Sequence, residues 1–213
     1  MVTLQFKQID VLPGQRVVLR NIPWQQFEEI VEELGEHRGS RLAYSLGTLE
    51  IMTPLPEHEK AKVIIGDLFK ILLDELDLNW ESLGSTTFLR KEMQAGIEPD
   101  DCFYIKNHAL MIGKDRLDLT LDPPPDLVIE IDVTSKTQLD AYEALGVPEI
   151  WRYSNRKLQI FLLQGGKYIE SEFSPTFPNF PIIEGISRFV EMSRTLGTVP
   201  SLRAFRQWVR EQS

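Results

Sequence analysis

The sequence predicts a mixed α/β fold in which helices flank a central β-sheet. Residues 58–154 show apolar spacings typical of a helix, three strands, a second helix and a further strand, in that order. Within this region, residues 126–133 alternate with the period of two that marks a strand. A chain of 213 residues, 42% of them hydrophobic, is also long enough to bury a core without disulfide bonds.

The N-terminal residues predict an arm, a helix and a hairpin. Residues 1–23 show no sustained period, so we expect an irregular or short-strand arm. Residues 24–34 carry apolar side chains at helical spacing, and Gly35 is a natural helix end. Residues 41–53 alternate on both sides of Gly47, which predicts a β-hairpin that turns at this glycine.

The middle of the chain predicts the first core helix and several strands. Residues 58–76 form the clearest helix, because an apolar stripe runs along their whole length. Strands are expected at 80–89 and 97–105. Residues 106–125 are polar and end in proline, which indicates a long connection that could hold a short strand at 117–119.

The C-terminal half predicts a helix, a three-stranded meander and two further helices. A helix from Lys136 to Leu145 should lead by a right-handed crossover to a strand parallel to the one at 126–133. We expect a single domain, which divides into an N-terminal arm at 1–23, a core at about 40–175 and a C-terminal helical tail at 182–213.

Composition limits the classes of protein that fit. One cysteine excludes an internal disulfide framework and a multi-cysteine zinc site. No stretch reaches the roughly 18 apolar residues of a membrane span, and the first residues lack a signal-peptide layout. We therefore expect a cytoplasmic protein. The net charge of −9 argues against a broad non-specific nucleic-acid surface, but it allows a small site with local positive charge.

The strand at 126–133 gathers acids on one face. Its alternate residues form an apolar face, while Asp126, Glu130 and Asp132 lie on the other. Glu130 and Asp132 are about 7 Å apart along the strand, which suits a hard divalent cation. Acids on a core strand are costly unless a positive group lies between them. The alternative is that this face is simply solvated.

A second acidic motif, Pro99-Asp100, precedes this strand. Proline cannot donate to a strand ladder, so it marks a bend or an edge. If the two strands are neighbours, Asp100 and Glu130 face each other about 5 Å apart. Two carboxylates, a backbone carbonyl and water would satisfy Mg²⁺. Asp100 could instead be an ordinary turn residue.

Four motifs follow one another in a distinctive order. They are Gly-Thr-Leu-Glu-Ile-Met-Thr-Pro at 47–54 with His58 after it, Pro-Asp at 99–100, Pro-Asp-Leu-Val-Ile-Glu-Ile at 125–131, and Tyr-Glu-Ala-Leu-Gly-Val-Pro-Glu-Ile-Trp at 142–151. Together they resemble the bacterial "putative restriction endonuclease" family of the PD-(D/E)XK superfamily. The resemblance spans roughly residues 20–190.

This resemblance implies a restriction-endonuclease-like core and metal-dependent cleavage of DNA. Asp100 and Glu130 would hold Mg²⁺ or Mn²⁺, and the carbonyl of Ile131 would point at the same ion. The metal would polarise the scissile phosphate and lower the pKa of the attacking water. A lysine would orient the water and offset charge in the transition state.

The chain departs from the family pattern at Asp132, where the lysine is expected. Lys136 is the nearest substitute, at the start of the following helix, although a lysine at a helix start is more often a solvated residue. Alternatively, Asp132 is a second metal ligand, or the site is inactive.

Three further residues are candidate accessories. Glu57, with its neighbour Glu59, could add an acid from the first core helix, or simply favour the helix N-terminus. His58 is a candidate proton carrier, or else a cap or packing residue. Glu50 could lie at the rim of the site or pair with Arg41 across the hairpin.

The sequence therefore predicts a metal-dependent endonuclease that acts on DNA. Two alternatives are a nucleic-acid binding module with a decayed site and a protein interaction module that keeps only the fold. A homodimer or higher homo-oligomer would suit cleavage of both strands of a duplex.

Overall fold

Two β-sheets face each other in the part of the chain that the structure describes. The structure is a computed structural model that describes residues 8–35, 39–84, 86–132 and 139–212. Across these residues, six helices accompany a six-stranded and a five-stranded sheet, so the predicted mixed α/β class is confirmed.

The six-stranded sheet has the order β11-β10-β9-β8-β7-β4. Its members are β4 (Glu81–Ser82), β7 (Asp101–Tyr104), β8 (Leu127–Asp132), β9 (Glu149–Ser154), β10 (Lys157–Gln164) and β11 (Lys167–Ser171). β8 and β9 are parallel and every other neighbouring pair is antiparallel. The parallel pair and the meander that follows it are therefore as predicted.

Three helices cover one face of this sheet. They are α2 (Pro56–Glu75), α5 (Ile182–Leu196) and α6 (Thr198–Gln212). α2 begins with a proline, which suits the first helical turn, and carries two acids there that favour the helix N-terminus. Its Phe69 packs with Trp151 of β9, with ring centroids 4.9 Å apart. The alternate residues Leu127, Ile129 and Ile131 of β8 belong to this core.

The five-stranded sheet has the order β1-β3-β2-β6-β5 and is antiparallel. Its members are β1 (Arg16–Arg20), β2 (Arg41–Ser45), β3 (Thr48–Met52), β5 (Phe88–Arg90) and β6 (Ala95–Ile97). The predicted hairpin is thus β2 and β3 within a larger sheet. Helix α1 (Trp24–Leu34) covers the outer face, where Phe27 stacks on Tyr44 at 4.4 Å. A Cβ on Gly96 would lie 2.6 Å from the Phe27 ring, so this strand needs glycine there.

A second core fills the space between the sheets. Helix α4 (Leu139–Leu145) lies there, and its Tyr142 packs near Val128 of β8 and Ile97 of β6. Both faces of β8 are therefore covered, which excludes the alternative of a simply solvated face for Glu130. Glu130 lies at this inner face, where the Tyr142 hydroxyl of α4 donates to it.

Three predictions of extended structure are wrong. Residues 97–105 form two strands in different sheets, because the chain leaves β6 at Ile97 and enters β7 at Asp101. Residues 80–89 divide in the same way between β4 and β5. Residues 117–119 form no strand. The connection at 106–125 instead contains the short helix α3 (His108–Met111).

Two other features complete the fold. The predicted helix at 136–145 is described from Leu139 onward, and its first three residues lie outside the described part of the chain. A 3-10 turn at Lys91–Met93 joins β5 to β6.

Within the described residues, no helix has both the length and the apolar composition to cross a membrane.

Candidate functional site

Asp100 and Glu130 lie side by side between the two sheets. Asp101 pairs with Ile129 in the antiparallel register of β7 and β8, which places Asp100 opposite Glu130. The Ile131 amide donates to Asp100 Oδ2 at 2.9 Å and holds the carboxylate against β8. The predicted proximity of the two acids is therefore observed.

The break between β6 and β7 positions Asp100. Residues 98–100 carry the chain from one sheet to the other. Glu98 fixes this crossing, since it accepts from the Leu42 amide at 3.2 Å and from the Thr87 hydroxyl at 2.5 Å. Pro99 has no amide hydrogen for a strand ladder, which favours a break at this point.

His58 supports Asp100 from helix α2. Its ring is fully buried, with Nε2 at 3.1 Å from Asp100 Oδ2 and Nδ1 at 3.3 Å from Glu59 Oε1. Burial alone lowers the pKa of His58, but the hydrogen bond and charge of Asp100, together with Glu59, outweigh burial and raise the pKa. The contact between His58 Nε2 and Asp100 Oδ2 therefore holds the Asp100 carboxylate in place.

The ionisation of Glu130 is strongly perturbed by its surroundings. Burial raises the pKa of Glu130 well above its ordinary range, and the charges of Asp100 and Asp132 raise it further. The Tyr142 hydroxyl, which donates to Glu130 Oε1, and the charge of Arg41 act in the opposite direction. A cation between the carboxylates would relieve this repulsion.

Arg41 approaches the acids from the opposite sheet. Its Nε lies 4.0 Å from Asp100 Oδ1. Glu50 pairs with Arg16 of β1 at 3.3 Å. Glu50 shares the inner face of the five-stranded sheet with Arg41 and is almost buried.

The structure describes the contacts of Asp132 but not those of Lys136. Asp132 Oδ2 lies 3.8 Å from Arg152 Nε on the neighbouring strand. Lys136 lies outside the described residues. Asp126 lies one residue before β8, and its carboxylate accepts from the Ile105 and Asn107 amides at 2.7 and 3.2 Å.

Glu57 belongs to a separate cavity on the α2 and α5 side of the six-stranded sheet. This cavity of about 890 Å³ is lined by the first turns of α2, by Asp132 and by the end of α5. Glu57 pairs there with Arg194 at 2.9 Å. Neither Asp100 nor Glu130 lines this cavity.

The free oxygens of the acid pair would fit a hard divalent cation. Within the described residues, Asp100 Oδ1 and Glu130 Oε2 accept no hydrogen bond. No group of three or more His, Cys, Asp or Glu side chains in the described ranges is arranged to hold a metal. An ion would therefore rest on two carboxylates and water, as Mg²⁺ often does. The Ile131 carbonyl stays a predicted third ligand.

Two neighbours of the site were missed by sequence reasoning. Tyr142 was noted only as part of a family motif, and helical spacing gives no sign that its hydroxyl reaches Glu130. Arg41 was weighed only as a partner of Glu50. Arg41 is distant from both acids in the chain, and Tyr142 reaches Glu130 only because α4 folds back against β8.

Comparison with known proteins identifies one family. A solved structure described as a putative nuclease belonging to DUF820 from Anabaena variabilis ATCC 29413 is 12% identical. It aligns over 87% of this chain and 99% of its own, with a TM-score of 0.49. No curated protein matches the sequence. The family model "Uma2: Putative restriction endonuclease" matches residues 24–193, so this chain belongs to the Uma2 family.

Proposed function

We propose that this protein is a metal-dependent endonuclease that hydrolyses phosphodiester bonds in DNA. The observation that carries the proposal is the pairing of Asp100 with Glu130 across β7 and β8, where burial and the charge of Asp100 raise the Glu130 pKa. Perturbed carboxylates between packed elements are typical of functional sites. Membership of the Uma2 family supports a nuclease as the class of enzyme.

Asp100 and Glu130 would hold Mg²⁺ or Mn²⁺ through their free oxygens. The ion, when bound, supplies Lewis-acid polarisation of the phosphate and acidifies a water molecule. His58 keeps Asp100 in place, and Tyr142 does the same for Glu130. These two partners leave one oxygen of each carboxylate available.

Hydrolysis then needs one bond made and one broken. A water oxygen joins phosphorus, one P–O ester bond breaks, the water proton passes to solvent and the leaving oxygen takes up a proton. Two such sites related by a two-fold axis would cut both strands, so we propose a homodimer or higher homo-oligomer as the active form.

A catalytically decayed binding or interaction module is the second candidate. The ion pair of Asp132 with Arg152 favours it, because the position expected for the family lysine carries an acid already held by another residue. A decayed site would bind nucleic acid or protein without turning over.

Plasmid cleavage with and without divalent ions separates the two candidates. We expect Mg²⁺- or Mn²⁺-dependent nicking by the wild type and a loss of at least about 10²-fold in Asp100→Asn and Glu130→Gln, since each removes one ligand charge. Equal cleavage by wild type and both variants would reveal a contaminating nuclease and refute the proposal. Tight Mg²⁺ binding without cleavage would favour a module.

A further inference from the structure

We infer that Arg41 is a catalytic residue that contacts the scissile phosphate and takes the place of the missing lysine. The inference rests on the proposed nuclease function and adds one residue to its machinery. It concerns a side chain from the five-stranded sheet, whereas Asp100 and Glu130 are held by the six-stranded sheet.

The position of Arg41 suits this role. Arg41 is the first residue of β2, and its side chain lies on the inner face of the five-stranded sheet. The side chain of Glu50 on the neighbouring strand β3 lies on the same face. The Arg41 Nε lies 4.0 Å from Asp100 Oδ1, the oxygen that neither His58 nor the Ile131 amide occupies. The guanidinium therefore faces the free side of the carboxylate pair, where a substrate phosphate would have to lie.

The guanidinium of Arg41 also has N–H groups that make no hydrogen bond within the described residues. Only 20% of the side chain is exposed, yet within the described residues none of its five N–H groups makes a hydrogen bond. A mostly buried guanidinium that makes no hydrogen bond within the described residues has given up hydration, and a bound acceptor would compensate for this loss. A phosphate offers several anionic oxygens in a geometry that matches the planar fork of arginine.

The other nearby cations are held elsewhere. Arg152 pairs with Asp132, donates to Gln159 Oε1 at 2.8 Å, and stacks its guanidinium 4.5 Å from the centre of the Phe161 ring. Arg16 pairs with Glu50. Of these three arginines, only Arg41 has a contact with Asp100 within the described residues, at 4.0 Å, which makes it the best placed of the three to meet a ligand beside the acid pair.

Hydrolysis of a phosphodiester is favoured by a positive charge next to the phosphate. As the water oxygen bonds to phosphorus and the ester bond breaks, negative charge builds on the non-bridging oxygens. Arg41 N–H groups donate to these oxygens most strongly at that point, and the guanidinium stays protonated throughout. The positive charge also favours ionised Glu130, because it lowers the pKa of that carboxyl.

Cleavage of duplex DNA in Mg²⁺ and calorimetric binding of Mg²⁺ without DNA test the inference together. The variants are Arg41→Ala, Arg41→Lys and Lys136→Ala, with Arg20→Ala as a control that removes an exposed arginine from the same sheet. We expect Arg41→Ala to cleave about 10²- to 10³-fold more slowly, as for loss of one transition-state donor. Its Mg²⁺ affinity should stay equal or rise, because a repelling charge is gone.

The other variants show whether the catalytic role belongs to Arg41. Arg41→Lys should recover part of the rate, since it restores charge without the fork, and Arg20→Ala should match the wild type. Cleavage by Arg41→Ala within about threefold of wild type, or loss of Mg²⁺ binding along with cleavage, would overturn the catalytic role. A rate loss confined to Lys136→Ala would assign the charge to that lysine. Failure of the wild type to cleave would overturn the nuclease proposal itself, and this inference with it.

Discussion

Replacing Glu130 with glutamine should stabilise the protein at neutral pH. The substitution keeps the side-chain size and the oxygen that accepts from Tyr142. It removes a negative charge from a partly buried position beside Asp100 and Asp132. Like charges that are not neutralised lower the stability of the folded protein, and functional sites often contain such charges. Removing one of them should therefore increase the free energy of unfolding.

The size of the effect follows from the spacing of the strands. Two unit charges about 5 Å apart, as on neighbouring strands, repel by about 3 kcal/mol at an effective dielectric constant of about 20. The opposite charge of Arg41 and the partial exposure of Glu130 reduce this repulsion. We therefore expect a gain of about 1–2 kcal/mol, which raises Tm by about 2–8 °C in a chain of this size.

The gain should depend on pH in a defined direction. The folded-state pKa of Glu130 lies above its unfolded value, so the folded protein binds this proton more tightly. The stability that this proton contributes is fully present below the unfolded pKa of about 4.3. It is lost as pH rises through the folded-state pKa. The variant should therefore match the wild type near pH 4 and exceed it at pH 8.

Urea unfolding followed by circular dichroism at pH 4, 6 and 8 measures this difference. Glu33→Gln, on an exposed position of α1, removes the same charge from solvent and should change stability by less than about 0.5 kcal/mol. A Glu130→Gln protein less stable than wild type at pH 8, or a gain as large at pH 4, would refute the reasoning.

Three other substitutions test the support of the site and the core. His58→Gln removes a partner of Asp100 and should weaken Mg²⁺ binding about 10- to 100-fold in calorimetry, whereas unchanged binding would deny His58 a supporting role. Phe69→Ala should cost about 3–5 kcal/mol in urea unfolding, because its buried ring contacts three other aromatic rings, and a loss below about 1 kcal/mol would contradict that packing. Gly185→Ala should lower Tm despite the better helix propensity of alanine, since its Cβ would lie 2.5 Å from the Trp208 ring, and a raised Tm would contradict the α5–α6 packing.

Local periodicity correctly predicted the helices and strands that depend on contacts between segments close together in the sequence. The helix at 24–34, the hairpin around Gly47 and the meander after residue 149 need only short-range patterns and turn residues. The segment 97–105 failed because alternation cannot show which sheet a residue joins. Pro99 was the available signal, and it marks a change of sheet where a bend was expected.

The site was predictable in part for the same reason. Asp100 and Glu130 lie on strands that pair directly, so their proximity follows from the strand order. Arg41 comes from β2 and meets the acids through packing of the two sheets, whereas Tyr142 meets Glu130 through packing of α4 on β8. Nothing in their local sequence distinguishes them from an ordinary surface arginine and core tyrosine.

A crystal soaked in Mn²⁺ locates a bound ion through the anomalous signal of manganese, independently of activity. We expect a peak between Asp100 Oδ1 and Glu130 Oε2, within about 2.0–2.3 Å of both oxygens, that disappears in Glu130→Gln crystals. A peak among the acids of the α2 and α5 cavity, or an empty acid pair at millimolar Mn²⁺, would show that Asp100 and Glu130 do not form the metal site.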